Sequence, residues 1–157
     1  MWLAVDENLS EEVALKFLSP EIQFDSSSLD DMRHETARSR GLAHPNIVRI
    51  HDLHEYPAEM PLISMEFIEG VSLSQLKAQQ PKRCFPWDYL RGIVEQLCSS
   101  LEYAHNEQVI HRDIKPGNVM LDERGRVKLA DFGIAAVATD SMSRVSLQGN
   151  TSALPPT

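Results

Sequence analysis

The stretch His111-Arg112-Asp113-Ile114-Lys115-Pro116-Gly117-Asn118-Val119-Met120-Leu121 decides the reading of this chain, together with Asp131-Phe132-Gly133, which begins thirteen residues after Asn118. Alone, each polar residue here has a bland explanation. An aspartate in a loop is usually a cap or turn residue, and an isolated lysine is usually solvated surface. The grouping is less bland. A carboxylate, a cation two residues on, an amide three further and a second carboxylate surround two short apolar runs. Val119-Met120-Leu121 and Val127-Lys128-Leu129 read as a small hairpin around Asp122-Glu123-Arg124-Gly125.

Phosphoryl transfer needs these groups: a carboxylate near the attacking hydroxyl, a cation on the transferring phosphate and oxygen ligands for magnesium. The two runs have the forms H-R-D-x-K-x-x-N and D-F-G, and with them the chain resembles the eukaryotic-type Ser/Thr protein kinase family, in its bacterial branch. Other landmarks fall in the family's order. Val13-Ala14-Leu15-Lys16 resembles the strand with the phosphate-binding lysine, and Glu35 stands where the first helix carries that lysine's glutamate partner. His44-Pro45-Asn46-Ile47-Val48 resembles the turn after this helix. Ile63-Ser64-Met65-Glu66-Phe67-Ile68-Glu69-Gly70 resembles the last N-lobe strand entering the hinge.

The resemblance implies an α+β, protein-kinase-like bilobal fold, incomplete: a small antiparallel N-lobe sheet with one helix, plus the start of a mainly helical C-lobe. Residues 1–68 would be the N-lobe without its first strand, since no G-x-G-x-x-G-x-V loop is present. Residues 69–137 would hold the hinge and the start of the C-lobe with the catalytic loop, and 138–157 a truncated activation segment. The expected reaction is transfer of the ATP γ-phosphoryl group to Ser/Thr hydroxyls of proteins. The wording Ile114-Lys115-Pro116-Gly117 favours Ser/Thr over tyrosine acceptors.

Carried over residue by residue, Asp113 orients the acceptor hydroxyl and takes its proton, while Lys115 offsets charge on the transferring phosphate. Asn118 completes the catalytic set and, with Asp131, supplies oxygen ligands to Mg2+. Lys16, paired with Glu35, would hold the α- and β-phosphates of ATP. Ala14 and Met120 would sandwich the adenine, the Ile68 backbone would bond its edge, Met65 would line the back, and Glu66 belongs to the same nucleotide-binding set. His111, Phe132 and Ile50 would form part of an apolar column between lobes, in which Ser39 stands where a larger side chain is usual. Arg112 would hold a phosphorylated activation segment, with Thr139, Ser141, Ser143, Ser146, Thr151 and Ser152 as candidate hydroxyls.

Periodicity supports this order of elements. A strand is predicted over Val13–Leu18, then a helix from the caps at Asp25–Ser28 through Met32 and Glu35 to a stop at Gly41, with a thin apolar face and loose packing. Two strands follow, Ile47–Glu55 and Leu62–Phe67, with the Val13 strand as partner and a break at Gly70. Leu90, Ile93, Val94, Leu97, Cys98, Leu101 and Ala104 form one helical stripe over Trp87–His105, after Pro86.

With 42% hydrophobic and 24% charged residues the chain has a globular composition, and wholesale disorder is excluded. A net charge of −8 and the lack of a Lys/Arg block speak against a nucleic-acid partner. Cys84 and Cys98 lack metal-ligand spacing; Cys98, on the apolar stripe, is expected to be a buried thiol in a reducing, cytoplasmic setting. No run reaches the roughly 18 apolar residues of a membrane span. A catalytically silent kinase-like module that only binds proteins is the alternative, and a small-molecule phosphotransferase of related fold ranks below both.

Overall fold

The structure is a computed structural model and describes residues 1–18, 26–56, 60–80 and 82–132. It opens with a hairpin, β1 (Trp2–Asp6) and β2 (Glu11–Phe17). Asp6 shapes the turn: its Oδ1 accepts from the amides of Asn8 (2.9 Å) and Leu9 (3.2 Å). Helix α1 (Ser26–Arg40) follows, then β3 (Ile50–His54) and β4 (Leu62–Glu66). These strands form an antiparallel sheet in the order β1-β2-β4-β3, so the Val13 strand pairs with the Leu62 strand, Ala14 facing Met65. The strand predicted from Ile47 starts only at Ile50; Ile47 itself forms an isolated bridge with Leu129, outside the sheet.

Helix α1 turns Ser28, Met32, Glu35, Thr36 and Ser39 inward. The spacing is that of one helical face, but only Met32 on it is large and apolar. Loose packing does not follow: Met32 is fully buried against a cluster containing Ala14, Ile50, Ile63 and Met65. Short hydroxyl side chains beside it allow the close approach.

The predicted break at Gly70 is instead the first residue of β5 (Gly70–Ser72), which pairs with the β6 strand (Val119–Asp122); this in turn pairs with β7 (Val127–Leu129). Gly70 is there because the strands touch. A Cβ would lie 2.1 Å from the Leu121 carbonyl oxygen. The β6–β7 turn is closed by Asp122, which accepts from the Arg124 and Arg126 amides, with Gly125 at φ +73°.

Between β5 and β6 run two helices. The first, α2 (Leu73–Gln79), starts in a capping box in which Ser72 and Gln75 satisfy each other's amides. The second, α3 (Trp87–Asn106), ends within a residue of the predicted stop and follows Pro86 directly. A second core joins Ile93, Ala104, Val119, Val127, Leu129 and Phe132.

The stripe on α3 is only half covered. Ile93 and Ala104 are buried and Leu97 and Leu101 partly so, whereas Val94 and Cys98 are exposed. The expectation of a buried Cys98 thiol is therefore wrong. The β6–β7 hairpin meets α3 on the side of Gln96, which accepts from the Val127 amide, and the Val94–Cys98 side lies turned away from it.

Candidate active site

The loop after α3 and the segment after β7 converge on a small set of backbone bonds. Pro116–Asn118 forms a 3-10 turn, and the Ala130 amide donates to the Asn118 carbonyl at 2.8 Å. His111, 1% exposed, closes the arrangement from the other side. Its Nδ1 accepts from the Asp113 amide (3.2 Å) and its Nε2 faces the Ala130 carbonyl (2.8 Å). These partners assign the proton to Nε2. Burial pushes the His111 pKa below 6.5, keeping the ring neutral despite the nearby carboxylates. One imidazole thus sets the backbone beside both Asp113 and Asp131.

Asp113 is gripped from one side. Its Oδ2 takes the Lys115 ammonium at 2.6 Å and the Asn118 amide nitrogen at 3.1 Å. The same Asn118 nitrogen donates to the Asp113 carbonyl at 2.8 Å. Both of its amide hydrogens are thereby spent, and Oδ1 remains as its acceptor. The Lys115 hydrogen bond, aided by Asn118, holds the Asp113 carboxyl below its usual range, so it stays ionised at neutral pH.

Asp131 has the left-handed φ of +65°, as does Arg112. Outside glycine such backbone costs about 1–3 kcal/mol and is kept only where neighbours over-determine it. The hydrogen bonds at Ala130 and His111 do so here. Asp131 Oδ1 is buried without a well-directed hydrogen bond, although the Lys16 ammonium lies 2.7 Å away. The contact is electrostatic and out of line. The buried Asp131 carboxylate oxygen, with an unspent lone pair, and the Asn118 amide oxygen are hard donors of the kind that fit a hard cation.

The expected Lys16–Glu35 pair is not made. Lys16 turns to Asp131, and Glu35, 8% exposed at its side chain, lies 3.8 Å from Arg112. Arg112 therefore faces the α1 glutamate; Gly133 and the candidate hydroxyls from Thr139 to Ser152 lie outside the described residues.

A protein kinase domain model matches residues 2–156. The chain belongs to the protein kinase family. It is 38% identical over 142 residues to the serine/threonine-protein kinase PrkC of Bacillus subtilis, covering 90% of this chain and 21% of the relative. To the serine/threonine-protein kinase PknB of Mycobacterium tuberculosis it is 34% identical over 151 residues, with shares of 92% and 23%. The crystal structure of the M. tuberculosis PknI kinase domain superposes with a TM-score of 0.76 at 33% identity, over 85% of this chain and 53% of that one. The chain thus spans about half of a solved kinase domain and under a quarter of these curated relatives.

Within this protein kinase chain the other expected site residues are distributed as follows. Ala14 and Met65 are strand partners, both buried in the first core, with Ile68 packed against the same cluster. Met120 is half-buried on β6. The Glu66 side chain accepts from the Lys128 ammonium. The His111 and Phe132 rings meet at 4.6 Å with their planes tilted by 57°, and Ile50 is buried in the neighbouring core. Ser39 replaces apolar contact with a hydrogen bond, its hydroxyl donating to the Phe132 carbonyl at 3.2 Å. Sequence reading missed Lys128 and the hub at Ala130. Lys128 had a signal: it alternates with Val127 and Leu129, both fully buried, and so leaves the hairpin on the opposite face.

Proposed function

We propose that this cleft carries phosphoryl transfer from ATP to Ser/Thr hydroxyls of proteins, in the chain or in a longer protein of which it is part. The observation that carries the reading is the paired arrangement of Asp113 and Asp131 around the Ala130 backbone, with Lys115 on one and Lys16 on the other. Asp113 accepts both its contacts on Oδ2, which leaves Oδ1 to receive an acceptor hydroxyl. Its depressed pKa makes it a weak base, so its first task is orientation, with proton transfer late in the reaction. Lys115, held beside it, offsets charge on the phosphoryl group in flight.

Lys16 would move from Asp131 to the nucleotide phosphates, with Glu35 as its partner there. Asp131 and the Asn118 amide oxygen would hold Mg2+, which when bound neutralises phosphate charge. Ala14, Met65, Ile68 and Met120 would bound the adenine. In this reading residues 1–68 act as N-lobe, 69–137 as hinge and start of the C-lobe, and 138–157 as activation segment. The names of PrkC and PknB support Ser/Thr acceptors, and Ile114–Gly117 supports the same choice.

A thermal-shift titration of the chain with Mg-ATP, beside Asp131→Ala, tests the site. The expected result is a midpoint raised by Mg-ATP in the wild type and not in the variant. At a ligand concentration 100 times Kd the gain is about 2.7 kcal/mol. Phosphate transfer from ATP to a Ser/Thr protein, lost in Asp113→Asn, would complete the case. A transition indifferent to nucleotide would count against it and for a silent binding module.

A further inference from the structure

Glu66 and Lys128 take no part in the chemistry above, yet their contact is one of the best-made ion pairs among the described residues. The Lys128 ammonium lies 2.7 and 2.9 Å from the two Glu66 oxygens, and the lysine side chain is only 14% exposed. Exposed pairs contribute little, but one this shielded is weakly screened and costly to split. Glu66 is anchored further. Its Oε2 accepts from the Arg49 amide (3.1 Å) and its own amide donates to the Arg49 carbonyl (2.8 Å). One residue before Arg49, the Val48 amide donates to the carbonyl of Leu129, beside Lys128. The contacts close a ring through β4, the 48–49 segment and β7.

The position of this ring gives it a consequence. Lys128 faces Met120 across the β6–β7 ladder, so both side chains leave the hairpin on one face. Glu66 follows Met65, whose strand partner is Ala14. The pair therefore joins β4, which carries the back of the proposed adenine slot and pairs with the Ala14 strand, to the hairpin that carries the Met120 wall. On either side of it lie grooves of 320 and 310 Å³, both lined by Glu66 and Lys128. Both grooves lie away from Asp113 and Asp131, and at this level the ion pair spans an open seam.

We propose that Glu66 and Lys128 are positioning residues: their ion pair sets the spacing between β4 and the β6–β7 hairpin, and with it the width of the nucleotide slot. The inference rests on the nucleotide reading above. Lys128→Met keeps the apolar stem and removes the charge. In the full 157-residue chain without nucleotide, amide exchange of residues 66–70 and 119–122 should rise together by about tenfold, with the β1–β2 hairpin unchanged. The Kd for Mg-ATP, measured by calorimetry, should weaken by about tenfold. Adding Glu66→Gln, which keeps an acceptor for the Arg49 amide, should cost little more on top of Lys128→Met.

Unchanged exchange in both segments overturns the proposal, as does a rise spread evenly over the whole chain, which reports general destabilisation. Fully additive losses in the double variant also count against a pairwise role. If the wild-type chain does not bind Mg-ATP, the nucleotide reading falls. The exchange arm then still decides whether the pair holds the two elements together.

Discussion

Replacing His111 by Phe keeps a ring against Phe132 and removes both nitrogens that join the two halves of the site. The Ala130 carbonyl, in a residue only 7% exposed, would lose its side-chain donor, and the Asp113 amide would lose its acceptor. An unsatisfied buried group costs about 1–3 kcal/mol, and an amide that can recover water costs less, about 0.5–1.5 kcal/mol. The sum is about 2–4 kcal/mol. For a chain of this size it lowers Tm by about 5–15 °C. The cost should also depend on pH. Burial holds the folded-state pKa of His111 below 6.5, so on acidification the unfolded chain takes up this proton first. Stability then falls as pH drops through about 6.5 toward the lower folded value, and is fully present above that window. His111→Phe lacks this term, while the other five of the six histidines are common to both proteins. The gap between wild type and variant should therefore narrow between about pH 7.5 and pH 5.5. The Asp113 carboxyl, depressed by Lys115, loses its contribution only below its ordinary value of 3.8, outside the window. Urea unfolding followed by circular dichroism at the two pH values gives both numbers. A variant as stable as wild type at pH 7.5, or a gap that widens in acid, would refute the role assigned to the imidazole.

Gly70→Ala should part β5 from β6, because the new Cβ would meet the backbone of Leu121 and Asp122 at 2.1 to 3.0 Å. A loss of at least about 1–3 kcal/mol in urea unfolding is expected; an unchanged midpoint would contradict the strand contact. Cys84 and Cys98 are both exposed, so both should react with Ellman's reagent in the native chain, without denaturant. Release of one equivalent only, with the second requiring denaturant, would place Cys98 back under cover.

Much of the site was legible from residue order. Asp113, Lys115 and Asn118 lie within six positions, and a 3-10 turn started by Pro116 brings the Asn118 side chain back onto Asp113. The long helix could be read from its stripe, and the hairpin from Asp122 and Gly125, because local spacing alone encodes such elements. Burial along the stripe was less legible. Periodicity shows which face of α3 is apolar, but not how much of it the β6–β7 hairpin covers, and Cys98 fell on the uncovered part.

The sequence by itself determined the family, the identity of the polar groups and the order of the strongly patterned strands and helices, since these are properties of spacing and residue type. It did not determine β5 and α2. Only the tertiary structure decided which charges meet. Lys16 and Asp131 are 115 positions apart, Glu35 and Arg112 are 77 apart, and Glu66 and Lys128 are 62 apart. Opposite charges at such separations have many candidate partners along a chain. Which pair forms depends on how the α1 face, the end of β4 and the β6–β7 hairpin pack, and on which carboxylate that packing leaves within about 4 Å of each cation.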